Sequence, residues 1–301
     1  MSNSGPFTIN DAFIKSTVSK DGAVYIFDPA QKAEHERLEL QHHALEQLML
    51  GKLIHAPVSS TPRRILDIGC GTGATTVRLA KEYPDAQIIG IDQATVPPIH
   101  EKPENARYLE GRFDESVEAG SLETGTFDLI FARFLVAGVQ DWRKHFAICK
   151  ELLAPGGWME FQEPSVFVHY SADSMDVPID GDWHWPKAVH DSACKRFGID
   201  LRVGERLESL FNDAGLLDVG MRRYPFVLHP WPARPETKAQ GEYFQKYAPE
   251  INRKAIGYYC QEDLGPEEIV SMQRESDETC FAGYVEGMHN RVYACWGWKG
   301  A

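Results

Sequence analysis

The stretch Ile65-Leu-Asp-Ile-Gly-Cys-Gly-Thr-Gly73 decides the predicted fold of this chain. A short apolar run leads to an acidic residue, three glycines follow at alternate positions, and a helical pattern begins at Ala74. Glycines let a backbone approach a ligand closely, and the amides at a helix start face negative groups. This order therefore predicts a strand, a ligand-binding loop and a helix that hold an extended nucleoside.

The spacing of the glycines distinguishes two kinds of nucleoside site. The dinucleotide fingerprint is G-x-G-x-x-G, whereas this loop is G-x-G-x-G with Asp67 two positions before Gly69. The spacing favours S-adenosylmethionine (SAM), whose carboxylate would face the helix. Asp92 ends the second predicted strand, 19 residues after Gly73, where it would accept hydrogen bonds from the ribose. The alternative, a tight turn without a ligand, leaves the three glycines with no evident packing reason.

The surrounding residues alternate short apolar runs with amphipathic segments, as in a doubly wound parallel sheet. Downstream, a Pro-rich connection covers 225–235. The predicted strands are 64–68, 87–91, 107–110, 127–132, 158–162, 217–224 and 290–298. The predicted helices are 31–53, 74–83, 142–153, 185–197, 205–214, 237–247 and 266–287. We expect the helix 31–53 to pack on the sheet or to cover the mouth of its site.

The composition excludes several classes of function. The chain has 301 residues and a net charge of −13, which opposes binding to a phosphate backbone. No apolar run approaches the roughly 20 residues that cross a bilayer. No secretory leader is recognisable, and the six cysteines form no C-x-x-C pair. We therefore expect a soluble, cytoplasmic protein without nucleic-acid, membrane or metal partners, and its oligomeric state is left open.

Four motifs in order resemble those of class I SAM-dependent methyltransferases. They are Leu66-Asp-Ile-Gly-Cys-Gly-Thr-Gly73, Ile89-Gly-Ile-Asp92, Phe127-Asp-Leu-Ile130 and Leu153-Ala-Pro-Gly-Gly157. The resemblance implies a Rossmann-like α/β fold with a doubly wound, mostly parallel seven-stranded sheet and added helical lid elements. It also implies SAM as cofactor and S-adenosylhomocysteine (SAH) as product.

Further motifs resemble the LaeA-like methyltransferases of fungal secondary metabolism. They are Glu36-Arg-Leu-Glu-Leu-Gln-His-His43, Ala132-Arg-Phe-Leu135, Asp141-Trp142, Gly157-Trp158, Glu160 and Gln162. The resemblance covers about residues 25–225. It divides the chain into an amino-terminal helical lid (1–56), a SAM-binding core (57–224 and 290–301, with an inserted lid around 165–200) and a helical insertion on the substrate side (225–289).

One departure from the family pattern concerns adenine. After the third strand, class I enzymes commonly carry an acidic residue for the adenine amino group, but this chain reads Glu110-Gly-Arg-Phe113. Arg112 cannot accept that hydrogen bond, so Phe113 would contact the ring and Asp114 would replace the carboxylate. The complete set of predicted cofactor residues is Tyr25, Asp67, Gly69, Cys70, Gly71, Gly73, Asp92, Gln93, Phe113 and Arg133.

The predicted reaction is methyl transfer to an oxygen or nitrogen of a small secondary metabolite. His184, within Asp182-Trp-His-Trp185, is the first candidate for the proton acceptor, and Glu163 is the second. Each has a plainer interpretation: His184 belongs to a lid that packs through its tryptophans, and Glu163 caps a loop. His42 is interpreted as a hydrogen-bonded core residue. Two other functions stay open, a SAM-binding protein with cyclase-like chemistry and a regulatory interaction protein.

Overall fold

The computed structural model describes residues 25–172, 175–178 and 183–301. Eight strands form one sheet. Their bounds are β1 Arg64–Ile68, β2 Gln87–Asp92, β3 Ala106–Glu110, β4 Phe127–Arg133, β5 Leu153–Ala172, β6 Met175–Pro178, β7 Leu217–Val227 and β8 Met288–Trp298.

The strand order confirms the predicted fold class. The main path is β3-β2-β1-β4-β5-β8-β7, and β6 forms a hairpin with β5 outside it. Strands β1 to β5 pair in parallel, while β8 is antiparallel to both of its neighbours. The chain crosses from one side of β1 to the other between β3 and β4, and such a switch point opens a crevice at the carboxyl ends of the strands.

Eight α-helices cover this sheet among the described residues. They are α1 Lys32–Leu48, α2 Ala74–Glu82, α3 Phe113–Glu118, α4 Trp142–Leu152, α5 His184–Phe197, α6 Val203–Asp213, α7 Lys238–Cys260 and α8 Pro266–Asp277. Each of the seven predicted helices has a counterpart here, and α3 was missed. The predicted division into lid, core and insertion stays a prediction, and residues 1–24, 173–174 and 179–182 of its two lids lie outside the described part.

Four elements differ clearly from prediction in length, and the first is α8, which ends at Asp277 rather than at residue 287 and is followed by a π-helical turn, Glu278–Ala282. Strand β5 was predicted to end at residue 162 but continues to Ala172, because β8 pairs with it from Trp158 to Tyr170. Helix α7 was predicted to end at residue 247 but passes Pro249 and ends at Cys260. Helix α1 ends at Leu48, before the positive φ angles of Leu50 and Gly51, rather than at residue 53. Tertiary pairing and packing thus override the local pattern.

One cluster of buried apolar residues positions the site. It joins α1, α5, α7 and α8 to the ends of β5, β7 and β8, with Leu45, Trp185, Phe244 and Tyr259 among its members. The sheet and the helices α4 and α6 form another cluster around Phe146 and Phe211. The helical cluster therefore stands over the carboxyl ends of the strands as a second layer. Among the described helices, none is long and apolar enough to cross a membrane.

Candidate active site

A cavity of about 630 Å³ lies between the strand ends and the helical layer. This volume is in the range of small-molecule sites. Its wall includes Ile68, Asp92 and Arg133 at the ends of β1, β2 and β4, and it continues to residues of α1, α5 and α7. The cavity thus occupies the predicted crevice and extends under the added helices.

The glycine loop borders this cavity, and its three glycines differ in the space available beside the backbone. All three have positive φ angles, between +55° and +83°. A Cβ on Gly69 would overlap the Leu135 side chain, and one on Gly73 would lie 2.5 Å from the Tyr108 hydroxyl. The expectation that the glycines lack a packing reason is therefore wrong for these two. The nearest atom to a Cβ on Gly71 is in Leu38, at 3.6 Å, so Gly71 presents an open cradle.

Asp92 connects the end of β2 to the glycine loop. Its Oδ2 accepts the amide of Gly71 at 2.8 Å, and its Oδ1 accepts the amide of Ala94 at 3.0 Å. Burial raises the pKa of this carboxyl above its ordinary value, while the amide hydrogen bonds act in the opposite direction. Each oxygen retains a further lone pair, and Asp92 lines the cavity. A diol would find two acceptors here.

Three predicted cofactor residues lie behind the wall of the cavity. Asp67, Cys70 and Gly73 are not among the residues that line it. The Thr76 hydroxyl donates to Asp67 at 2.6 Å, which fastens the first turn of α2 to the end of β1. Burial raises the pKa of Asp67 to about 7. These three residues support the loop from its buried side, and their direct contact with the cofactor stays a prediction.

Arg133 joins the end of β4 to the helix above the loop. Its Nη2 lies 2.6 Å from Nδ1 of His42 and 3.1 Å from the Thr75 hydroxyl. Burial lowers the pKa of Arg133 to about 10, so the guanidinium stays charged at neutral pH. It places a cation at the start of α2, where the helix dipole also favours an anion. His42 is a hydrogen-bonded core residue, as its plainer interpretation predicted.

The residues beyond β3 enclose another end of the cavity. Phe113 and His145 line it with their ring centroids 4.9 Å apart, and Gln93 lines it from the β2 side. Nε2 of His145 is buried and has no hydrogen-bond partner among the described residues. Burial lowers the pKa of His145 to about 4, so the ring is neutral and offers either a donor or an acceptor.

The predicted substitute for the missing acidic residue is already paired. Asp114 forms an ion pair with Arg112 at 3.4 Å. Although burial acts to raise it, the hydrogen bond and charge of Arg112 hold the pKa of Asp114 below its ordinary value. His145 was not predicted as a site residue, although it lies three residues after the quoted motif Asp141-Trp142. A histidine at this helical interval was the available signal.

A polar cluster occupies the cavity wall opposite the strands. Arg37 donates to both oxygens of Glu34, at 2.8 and 2.7 Å, and to the Tyr243 hydroxyl at 2.5 Å. Tyr25 donates to Glu34 at 2.6 Å and accepts from Arg37 at 3.2 Å. Gln41 also donates to Tyr243, at 3.1 Å. Tyr25 lines the cavity as predicted, but its hydroxyl is engaged in this cluster.

Comparison with known proteins identifies the family. A family profile described as "Methyltransferase domain" matches residues 40–219, more than half of the chain. The chain belongs to this methyltransferase family. The resemblance to class I SAM-dependent methyltransferases is therefore confirmed, and SAM is the cofactor of that class.

Individual relatives agree with this assignment. Methyltransferase pytC of Aspergillus terreus is 28% identical over 271 residues, which cover 88% of this chain and 79% of that protein. Secondary metabolism regulator LAE1 of Cochliobolus heterostrophus is 28% identical over 224 residues, with 72% and 70% covered. The likeness to the LaeA-like group is thus confirmed.

A solved structure shares the fold. Haemonchus contortus phosphoethanolamine N-methyltransferase 2, in complex with S-adenosyl-L-methionine, has a TM-score of 0.50 and 17% identity. The alignment covers 92% of this chain and 60% of that one, so this chain spans about three fifths of its length.

In this methyltransferase, Glu163 caps a loop rather than facing the cavity. Its two oxygens accept the amides of Leu135 and Val136, both at 2.9 Å. Burial raises the pKa of Glu163 to about 8, against the two amide hydrogen bonds. These bonds hold the turn in which Phe134 adopts a φ of 59° and lines the cavity. These contacts favour the alternative interpretation of Glu163 as a loop cap, and its role as a proton acceptor stays a prediction.

His184 of the methyltransferase lies outside the cavity. Its side chain is 88% exposed and lies 3.3 Å from Glu275. Its neighbour Trp185 lines the cavity instead, and the indole donates to Thr279 at 3.2 Å. The prediction of His184 as the base is corrected, because α5 begins at this residue and turns the imidazole to solvent. Asp182, from the same predicted stretch, lies outside the described residues.

The far arm of the cavity is formed by the helical layer together with residues of β5, β7 and β8. Among the described residues, its wall includes no charged side chain. It consists of Val166, Val168, Trp185, Pro186, Val189, Leu201, Phe226, Phe244, Ala248, Ile251, Asn252, Ala255, Tyr259, Cys280 and Asn290. We call this part the apolar arm.

One group outside the cavity has the spacing of metal ligands. Among the described residues, donor atoms of His190, Cys194 and Asp200 lie within 4.8 Å of one another. Asp200 already accepts the Arg202 amide at 2.9 Å and the Arg206 guanidinium at 2.5 Å. The Cys194 thiol donates to the Ile199 carbonyl at 3.2 Å. These contacts account for the group as part of the turn after α5.

Proposed function

We propose that the methyltransferase transfers the methyl group of SAM to an oxygen or nitrogen of a small, apolar or aromatic metabolite. The observation that carries the proposal is the continuity of one cavity from the glycine loop to the apolar arm. The polar end of this cavity fits the cofactor, and the uncharged end fits an apolar substrate. A cavity of small-molecule size beside the glycine loop favours an enzyme over a regulatory interaction protein.

The residues at the strand ends fit SAM. The space beside the Gly71 backbone lets the cofactor approach the loop, and Asp92 offers two acceptors to the ribose hydroxyls. Arg133 and the start of α2 suit the methionine carboxylate. Phe113 and Gln93 border the adenine position, and Gly69 and Tyr25 complete the predicted wall.

His145 supplies the adenine hydrogen bond that the β3 loop lacks. Its Nε2 is the buried, unpartnered atom at this end of the cavity. A neutral imidazole accepts from the adenine amino group in one tautomer and donates to a ring nitrogen in the other. Either bond relieves the burial of an unsatisfied polar atom.

The contribution of the protein to the reaction is alignment and exclusion of water. SAM supplies a methyl group that is already activated, so a strong base is not required for transfer. Leu38 of α1 covers the glycine loop, and Phe134 and Trp185 enclose the apolar arm. These residues hold the acceptor near the methyl group and remove solvent from the line of attack.

Methyl transfer is tested with SAM that carries a radioactive methyl group. The protein is incubated with phenols, amines and carboxylic acids of apolar ring systems, and labelled products are separated by chromatography. Asp92→Ala serves as a matched control, because it removes the ribose acceptor and leaves the apolar arm unchanged. Labelled product with the parent protein, and at least tenfold less with the control, is expected. Rearranged but unlabelled product would favour cyclase-like chemistry instead.

A further inference from the structure

The hydroxyl of Tyr243 has a hydrogen that the described residues leave unused. A tyrosine hydroxyl has two acceptor lone pairs and one donor hydrogen. Both lone pairs are occupied, by Arg37 at 2.5 Å and by Gln41 at 3.1 Å. No described residue accepts the hydrogen, although the side chain is 6% exposed and lines the cavity. The Tyr243 hydroxyl can therefore still donate one hydrogen bond.

Tyr243 lies between the cofactor end and the apolar arm. Gln41 contacts its hydroxyl, and Leu38, one helical turn before Gln41, lies over the cradle of Gly71. Residues three apart on a helix are neighbours on its surface. On the other side, the Tyr243 ring packs against Phe226 of the apolar arm, with centroids 6.3 Å apart. A substrate that is bound in the apolar arm and extends toward the methyl group would thus pass within reach of the Tyr243 hydroxyl.

The carboxylate beside Tyr243, that of Glu34, is paired with Arg37 and does not line the cavity. Glu34 uses one oxygen for Arg37 and Tyr25 and the other for Arg37. Gln41 is an amide, and Arg37 is a cation. A substrate hydroxyl that arrives with its proton would find no base beside Tyr243. A substrate oxygen that is already ionised needs no base.

We propose that Tyr243 donates its hydroxyl hydrogen to one oxygen of a substrate carboxylate, so that the substrate is an apolar or aromatic carboxylic acid and the product its methyl ester. This inference rests on the proposed methyl transfer. The hydrogen bond lowers the nucleophilicity of the oxygen that accepts it, so the second oxygen attacks. A new bond joins that oxygen to the methyl carbon while the carbon–sulfur bond breaks. Its electron pair stays on sulfur, and the carboxylate and sulfonium charges disappear together without proton transfer.

The binding experiment uses 2-naphthoate, with 2-naphthamide and 2-naphthylmethanol as neutral counterparts. Each is titrated by calorimetry into protein loaded with sinefungin, a SAM analogue that keeps a positive charge and transfers no methyl group. The variants are Tyr243→Phe and the matched control Tyr247→Phe, which changes a neighbouring tyrosine of α7 that does not line the cavity. Separate sinefungin titrations confirm that each variant is folded.

The proposal expects the naphthoate to bind most tightly of the three. Tyr243→Phe weakens the naphthoate about tenfold to a hundredfold, as for a hydrogen bond to a charged group, and changes the neutral compounds little. Tyr247→Phe behaves as the parent protein. Equal naphthoate affinity in parent and Tyr243→Phe, or no naphthoate binding to the parent, overturns the proposal.

Label transfer separates this inference from the proposed function. Naphthoate binding that depends on Tyr243, without any labelled ester from SAM, supports Tyr243 as a carboxylate-binding donor and rejects methyl transfer to that carboxylate. Labelled products from alcohols or amines that are unaffected by Tyr243→Phe do the reverse. His35 also lines the cavity, with Nε2 2.9 Å from the Pro29 carbonyl. Alcohol methylation that is lost in His35→Gln would assign proton removal to His35 and overturn the proposal.

Discussion

Nη2 of Arg133 lies 2.6 Å from Nδ1 of His42, which joins the end of β4 to the helix above the glycine loop. Nε2 of the same imidazole lies 3.3 Å from Glu46. A neutral ring accepts from the guanidinium and donates to the carboxylate, whereas a protonated ring would place a second cation against Arg133. Burial and the Arg133 charge lower the pKa of His42 to about 4. A neutral histidine therefore holds helix α1 against the end of β4.

Acidification is expected to weaken the contacts of His42 with Arg133. The folded pKa of His42 is lowered from 6.5 to about 4, so between these values the unfolded chain binds a proton that the folded chain does not. The stability from His42 is present above pH 6.5 and is lost as the pH falls toward 4. The Tm advantage of the parent over His42→Asn should shrink across this range in scanning calorimetry. His43→Asn, on the exposed side of the helix, is the control, and a pH-independent difference for His42→Asn would contradict the assignment.

Substitution of Gly71 by valine should abolish SAH binding. The side chain would fill the open cradle of the loop, and the φ of 55° adds strain. Gly51→Val is the matched control, because Gly51 has a φ of 77° with nothing within 4 Å of a Cβ. Calorimetric titration should show parent affinity for the control and none for Gly71→Val, with similar Tm values. Retained SAH affinity in Gly71→Val would reject the loop as the cofactor site.

Replacement of His145 by phenylalanine should weaken SAH about threefold to tenfold, as for one neutral hydrogen bond. Phenylalanine keeps the ring against Phe113 and removes only the nitrogens. The discrimination between SAH and S-inosylhomocysteine, which has a carbonyl in place of the adenine amino group, should fall in the same variant. Titration of both ligands measures this ratio. An unchanged ratio would mean that other groups recognise the base.

Replacement of Glu163 by glutamine should lower stability without changing the pH dependence of turnover. The glutamine nitrogen would oppose one of the amides that Glu163 now accepts, a penalty of about 1–3 kcal/mol. Denaturant unfolding measures the first effect and a pH–rate profile the second. A normal unfolding midpoint with loss of the acidic limb of the profile, in which turnover rises as a base loses its proton, would restore Glu163 as a proton acceptor.

Removal of the His184 imidazole should leave turnover within a few-fold of the parent. The side chain is 88% exposed and faces Glu275 rather than the cavity. Initial rates of labelled methyl transfer by His184→Ala measure this directly. A loss near a hundredfold, typical of a removed acid–base group, would require α5 to rotate in the reacting complex.

The sequence alone determined the strand, loop and helix around Gly69–Gly73, because their signals are local. Positive-φ glycines, an acidic strand end and a helical repeat lie within about thirty residues. The same local signals placed Asp92 and Arg133 at the carboxyl ends of β2 and β4, the two strands that flank β1, since parallel strands bring their carboxyl ends to one edge. These residues border the cavity as expected.

The tertiary structure alone decided which polar groups face that cavity. Glu163 and His184 had suitable chemistry, but two backbone amides occupy the first and solvent surrounds the second. Conversely, Arg37 and Tyr243 are 206 residues apart and meet only because α1 packs on α7. Hydrogen-bond saturation and burial depend on contacts between distant segments, and no local pattern of residues encodes them.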